Sequence, residues 1–316
     1  MTTEEAISMI ETAQSPADLF GDDAPRRDYR RLARLTHPDT SRGDPHAAAF
    51  DKLTTLWRRR EGTSDLGRLV ARGDIANLYA SARGLLKLAR RPADNDLLDR
   101  EVTALTRLRN RGDERYQAYV PRLLETQSHR DPDSGLVRRA NLFGRLDGFR
   151  SLAEVRAAFP DGVDPRDAAW MWRRLLAGIG YAHRAGVVHA AVLPEHVMIH
   201  PGQHGLVLVD WCYSVTSPGD RVPAIVGRYQ DWYPPELTAT RAAHPGTDIY
   251  LAARCMTHLM GERAPRPLTA FAAGCTLVNP RRRPLDAWRL LAELDDVLER
   301  HYGPRTFRPF VLPPVA

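Results

Sequence analysis

The stretch from Gly186 to Cys212 constrains the fold more than any other part of the chain. Two runs of β-branched and apolar residues, one ending at Ile199 and one beginning at Leu206, flank Pro201-Gly202-Gln203-His204-Gly205, a composition that turns the chain back on itself. The hairpin so formed sets a loop, His189 to His196, at one strand end. An aspartate, Asp210, stands at the adjacent strand end.

The loop, His189-Ala190-Ala191-Val192-Leu193-Pro194-Glu195-His196, and the later Asp210-Trp211-Cys212 resemble the catalytic loop H-R-D-L-K-P-E-N and the metal-binding D-F-G of the protein-kinase family. In that family the loop aspartate accepts the substrate hydroxyl's proton and the asparagine holds a magnesium ion. Here Ala190, Ala191, Leu193 and His196 replace arginine, aspartate, lysine and asparagine. Alanine and leucine carry no proton acceptor and no metal ligand. The resemblance therefore implies a scaffold with its reactive groups removed, a pseudokinase and not an enzyme.

Upstream, Leu69 to Leu88 alternates as three short strands, with Gly73 in the first turn. The chain has 45 basic residues, and its lysines are only Lys52 and Lys87. A lysine kept where arginine is otherwise used points to a task for a compact ammonium. A helix from about Asp94 to Leu108 carries Glu101 among Leu97, Leu98, Leu105 and Leu108. The kinase resemblance implies that Gly73 approaches the phosphates of ATP, that Lys87 pairs with them and with Glu101, and that Asp210 holds Mg2+. Tyr116 to Thr126 and Leu136 to Phe143 read as further strands, and Asp164 to Ala185 as a long amphipathic helix. Four positions match architectural marks of the family: His189 bracing the loop, Asp248 holding the loop backbone, and Glu236 with Arg283 as a buried ion pair.

The first 62 residues differ in kind. Helices are read over Thr3 to Ala13, Ala24 to Thr36 and His46 to Arg60. The second carries Arg26, Arg27, Arg30, Arg31 and Arg34 on its outer side and ends at His37-Pro38-Asp39, where proline stops it. Helix, His-Pro-Asp, polar loop, helix resembles the J-domain of the DnaJ family. That resemblance implies that these arginines and His37, Pro38 and Asp39 dock on a DnaK-type heat-shock chaperone and stimulate its ATPase, the cationic face serving encounter with an acidic surface.

The expected fold class is multidomain: a small all-α J-domain at 1–62, a linker at 63–68, a two-lobed α+β protein-kinase-like domain at 69–302 and a proline-rich tail at 303–316. The expected function is a co-chaperone whose inactive kinase-like domain takes a client protein or senses nucleotide. The alternative is an atypical ATP-dependent phosphoryl or nucleotidyl transferase using Lys87, Glu101 and Asp210. No apolar run approaches the roughly 20 residues that span a bilayer, and the acidic start Met1-Thr2-Thr3-Glu4-Glu5 lacks a secretion pattern. A cytoplasmic location without a membrane partner is expected. The net charge of +6 is spread along the chain, which argues for a solvated surface and against a nucleic-acid partner. Cys212, Cys255 and Cys275 lack paired spacing, so reduced thiols are expected and neither a disulfide framework nor a zinc site.

Overall fold

The computed structural model describes residues 1–21, 24–37, 44–60, 66–131 and 135–313. Its first elements are the helices α1 (Thr3–Thr12), α2 (Pro25–Thr36) and α3 (Asp44–Arg60). Helix α1 starts where Thr2 and Glu5 cap each other reciprocally: the Thr2 hydroxyl accepts from the Glu5 amide at 3.2 Å, and the Glu5 carboxylate accepts from the Thr2 amide at 2.7 Å. The three helices share a cluster of Ile10, Phe20, Leu32, Leu53 and Trp57, on which Tyr29 stacks with its ring centroid 4.7 Å from that of Trp57. With the apolar side of α2 turned to this cluster, Arg26, Arg27, Arg30, Arg31 and Arg34 are exposed. The His37 ring meets Phe50 edge-on at 5.0 Å. Pro38 and Asp39 lie outside the described residues, as does 61–65 of the linker region.

Between residues 68 and 143, alternating sequence broken at glycines becomes strands β1 (Arg68–Arg72), β2 (Ala76–Ser81), β3 (Gly84–Ala89), β4 (Leu123–Arg130) and β5 (Val137–Phe143). They form one antiparallel sheet in the order β1-β2-β3-β5-β4. One face, with Leu86, Leu88, Ala140 and Leu142, makes an apolar cluster that also takes Leu66. Arg68, expected in the linker, begins β1 and pairs with Ala80, and Leu66 packs on the sheet's apolar face. In the register of β3 with β5, Lys87 stands opposite Asn141 on the other face, toward α4 (Asn95–Arg111). Residues 116–119, where a strand is expected to begin, instead lie in a 3-10 turn, Glu114–Tyr119. Asp113 caps it through the Arg115 amide, and Tyr116 and Tyr119, three apart, share a side, which serves a helical turn and not a pleat. Tyr116 packs on Trp288 at 4.8 Å.

The remaining elements are α5 (Leu152–Ala158), α6 (Pro165–Arg184), α7 (Pro235–Thr240), α8 (Pro245–Met260), α9 (Arg266–Cys275) and α10 (Ala287–Tyr302), with a small sheet of β6 (Arg150–Ser151), β7 (Val197–His200) and β8 (Gly205–Leu208). Helix α6 begins with Asp164 accepting from the Arg166 amide and proline at the first helical position. It is buried along much of its length, through Met171, Trp172, Leu175, Leu176 and Ile179. Each such side chain contributes about 1.5–3 kcal/mol through burial, so α6 packed against α8 gives the hairpin a rigid floor. The tail after α10 has no regular structure over 303–313, but its Phe310 is buried against Phe159 and Trp170. Among the described residues, no helix is long and apolar enough to cross a membrane.

Candidate active site

Three elements far apart in sequence converge on the Lys87 ammonium. From β3, Lys87 Nζ reaches Glu101 Oε1 on α4 at 3.0 Å, Asp210 Oδ1 after β8 at 2.7 Å and Cys212 Sγ at 3.1 Å. Glu101 is itself held from two more directions. Its Oε1 accepts from the Trp211 amide at 3.2 Å and its Oε2 from Asn141 Nδ2 at 3.3 Å. Burial works against the charge on Lys87, yet the carboxylates of Asp210 and Glu101 raise its pKa well above the usual lysine value. Asp210 has the converse balance: burial would raise its pKa, but Lys87 and His196 hold it well below the usual carboxylate range. Burial pushes the Cys212 thiol well up, so the sulfur is neutral.

Residues 189–196 form the loop beside this cage. Asp248, at the start of α8, accepts from the amides of His189 at 2.8 Å and Ala190 at 2.7 Å and pairs with His183 Nε2 at 2.9 Å. These bonds hold Ala190 at a φ of 60°, a left-handed conformation that costs a β-carbon-bearing residue about 1–2 kcal/mol. The His189 ring contacts the Val209 carbonyl at 3.0 Å, and burial lowers its pKa to about 4, so it is neutral. Asp210 is also left-handed, at a φ of 65°, which aspartate tolerates better than most residues. Arg283 binds Glu236 in a two-point pair, with Nη2 to Oε2 at 2.9 Å, and stays buried. Glu195 pairs with Arg228 at the outer end of the loop.

The structure therefore brings Lys87, Glu101 and Asp210 into one cluster, and His189, Asp248, Glu236 and Arg283 into the frame around it. Gly73 is placed differently. It closes the β1–β2 turn, where its amide donates to Ala76 O at 2.9 Å and its carbonyl accepts from Arg90. That amide is engaged within the hairpin. Ala191 is fully buried and offers only its backbone, its carbonyl accepting from His196 Nδ1 at 2.8 Å. Asn141 and Cys212 are members of the cage that sequence reasoning missed. The available signal for Asn141 was a polar residue in the apolar run Ala140-Asn141-Leu142-Phe143.

Glu101, Asp210 and Cys212 offer ligand atoms within 4.8 Å of one another, but these atoms enclose the Lys87 ammonium, and a neutral thiol is a poor ligand for a hard cation. Asp210 Oδ2 faces outward from that cage, with His196 Nε2 at 3.2 Å, and its side chain keeps 23% exposure. Burial works against a charge on His196, but Asp210 raises its pKa above the usual imidazole value, so the contact is an ion pair. A separate groove of about 860 Å3, lined by Arg166, Trp170, His204, Arg305 and neighbours, includes none of these residues.

Comparison with known proteins gives one family: residues 76–214, under half of the chain, match the model described as the lipopolysaccharide kinase (Kdo/WaaP) family. No curated protein matches the chain. The match spans Lys87, Glu101, the 189–196 loop and Asp210, and it corrects two expectations. The J-domain, DnaJ and co-chaperone reading of residues 1–62 is overturned, because the family found is one of kinases and no J-domain match accompanies it. Regular local patterning, an arginine-rich amphipathic helix followed by His-Pro-Asp, had carried that reading without a partner surface to support it. The reading of the chain as a non-enzyme is overturned as well, since the matched family is one of enzymes. It had rested on the altered loop positions, Ala191 foremost, although phosphoryl transfer draws mainly on positioning and electrostatics.

Proposed function

We propose that this chain is an atypical ATP-dependent phosphoryl transferase with a kinase-like fold. The observation that carries the reading is the Lys87 cage: an ammonium on the central strand of the five-stranded sheet, held charged by Asp210 and Glu101. A fixed ammonium there neutralises the α and β phosphates of ATP and holds the nucleotide in line. Glu101, tied by Asn141 and the Trp211 amide, keeps Lys87 from collapsing onto Asp210 alone. A cation bound at Asp210 would supply charge neutralisation at the transferring phosphoryl group.

Ala191 supplies no proton acceptor, so the acceptor hydroxyl loses its proton to solvent or to the transferred phosphoryl oxygens. A loose transition state, with little bond formation to the incoming oxygen, tolerates that. The name of the matched family makes lipopolysaccharide the first acceptor to test. The expected result is label transfer from γ-32P-ATP, or ADP release, that falls at least about 100-fold in Lys87→Met, the scale of losing one charge-stabilising contact. Wild type and Lys87→Met behaving alike in ATP binding and in ADP release would sink the reading.

A further inference from the structure

We infer that the groove between α6, α10 and the tail is a binding site for a phosphorylated sugar. It lies apart from the Lys87 cage. His204, in its wall, sits in the hairpin turn, whereas Asp210 follows the far end of β8, a strand about 13 Å long at about 3.3 Å per residue. The inference therefore goes beyond the phosphoryl-transferase reading and does not depend on it. At about 860 Å3 the groove falls within the range of roughly 300–1,000 Å3 usual for small-molecule sites.

One wall is a column of rings. The His204 ring lies flat on Trp170, with centroids 4.1 Å apart and 6° between the planes, and Phe307 of the tail leans on His204 at 4.7 Å. Arg174 Nε fixes the turn that carries His204 by donating to its carbonyl at 3.1 Å. Phe307 remains 70% exposed, so the column ends in an open ring. Trp170 Nε1 and His204 Nε2 are buried with no hydrogen-bond partner among the described residues, which leaves this wall with bonding capacity that the protein does not fill.

The charged lining consists of Arg166, Arg173, Arg305 and Arg308 against Asp295 and Glu299. Asp295 is taken by Arg173 at 2.7 Å, and Arg308 faces Asp164 and Asp167. Arg166 and Arg305 have no carboxylate partner among the described residues. The Arg166 guanidinium lies over the Tyr302 ring, 5.2 Å from its centroid, which steadies it and leaves its donors free. Burial lowers the His204 pKa, and Arg174 and Arg305 lower it further, so the ring is neutral in a field set by guanidiniums.

These groups select one ligand chemistry. Planar guanidiniums fork the oxygens of a phosphate. A bare phosphate has no use for the rings, and an apolar ligand has none for the arginines. Glu299 opposes an anion but accepts from hydroxyl groups. A phosphorylated sugar uses all three: its phosphate on Arg166 and Arg305, a C–H face on the electron-rich ring of Phe307, and its hydroxyls toward Glu299 and Tyr302.

The test is titration calorimetry of the full chain, without ATP, using glucose 1-phosphate, inorganic phosphate and glucose. Glucose 1-phosphate should bind at least about 10-fold tighter than inorganic phosphate, and glucose should give no measurable binding. Combining Arg166→Glu with Arg305→Glu should weaken glucose 1-phosphate at least about 10-fold, the scale of losing hydrogen bonds to a charged group. Phe307→Ala should bring it down to the level of inorganic phosphate. Absence of binding, phosphate or glucose binding as tightly as glucose 1-phosphate, or unchanged affinity in the double variant overturns the inference. Binding lost in Lys87→Met assigns the sugar phosphate to the cage and overturns it as well. The three probes on the wild type decide the matter even where a charge variant fails to fold.

Discussion

Two aspartates flank the 189–196 loop, and they differ in what they hold. Asp248 has no exposed surface and takes its three partners, two loop amides and His183, from the protein. Asp210 keeps part of its side chain open and divides its oxygens between the charged Lys87 and His196. A buried carboxylate whose acceptor sites are filled by neighbouring donors is doing a structural task. One that keeps part of its side chain open, beside an ammonium suited to phosphate, remains available to a ligand. The same loop thus has a closed side and a reactive side, and the loss of an acidic residue at Ala191 altered only the second.

The largest test of that contrast is Asp248→Ala. It leaves three buried donors unpaired and releases Ala190 from its left-handed conformation, so urea denaturation should show a loss of about 4 kcal/mol, at about 1–3 kcal/mol per orphaned group. Next comes acid. Unfolded His189 takes up a proton near pH 6.5 and the folded residue near 4, so between those values the unfolded chain binds more protons and stability falls as pH falls. Asp248, His196 and Asp210 act on the same ring. The contribution is complete above about pH 6.5 and lost by about pH 4, amounting to about 3 kcal/mol. Denaturation midpoints measured from pH 7 to 4 should show this slope, and His189→Asn should flatten it.

The smallest effect on stability belongs to Asp210→Ala, since Lys87 retains Glu101. An unfolding free energy changed by only about 1 kcal/mol is expected, alongside at least about a 100-fold loss of ATP-dependent transfer. Equal destabilisation by the two alanine variants would erase the distinction between the two sides of the loop.

Much of the frame is legible in the sequence because it is written locally. The hairpin follows from two apolar runs and a turn, Glu101 from a carboxylate set into a leucine stripe, and Lys87 from its rarity in an arginine-rich chain. What is not legible depends on pairing across distance. Asn141 reaches Glu101 only because β5 pairs with β3 in one register, and Cys212 reaches Lys87 only because the turn after β8 folds beneath α4. Gly73 shows the limit of motif reading. Its residue type suits a phosphate loop, but the three-residue turn in which it sits closes on itself. The first 60 residues show another limit, because a helical pattern fixes which side faces inward and leaves the partner of the outward side unnamed.

Cys212 gives the cage a built-in clock. Its sulfur has no accessible surface and lies behind the Lys87 amine, so an alkylating reagent can reach it only during excursions that part β3 from the turn after β8. The rate at which this thiol becomes modified therefore measures how often the lysine lets go of its carboxylates. Any nucleotide that draws Lys87 toward its own phosphates will rewrite that rate.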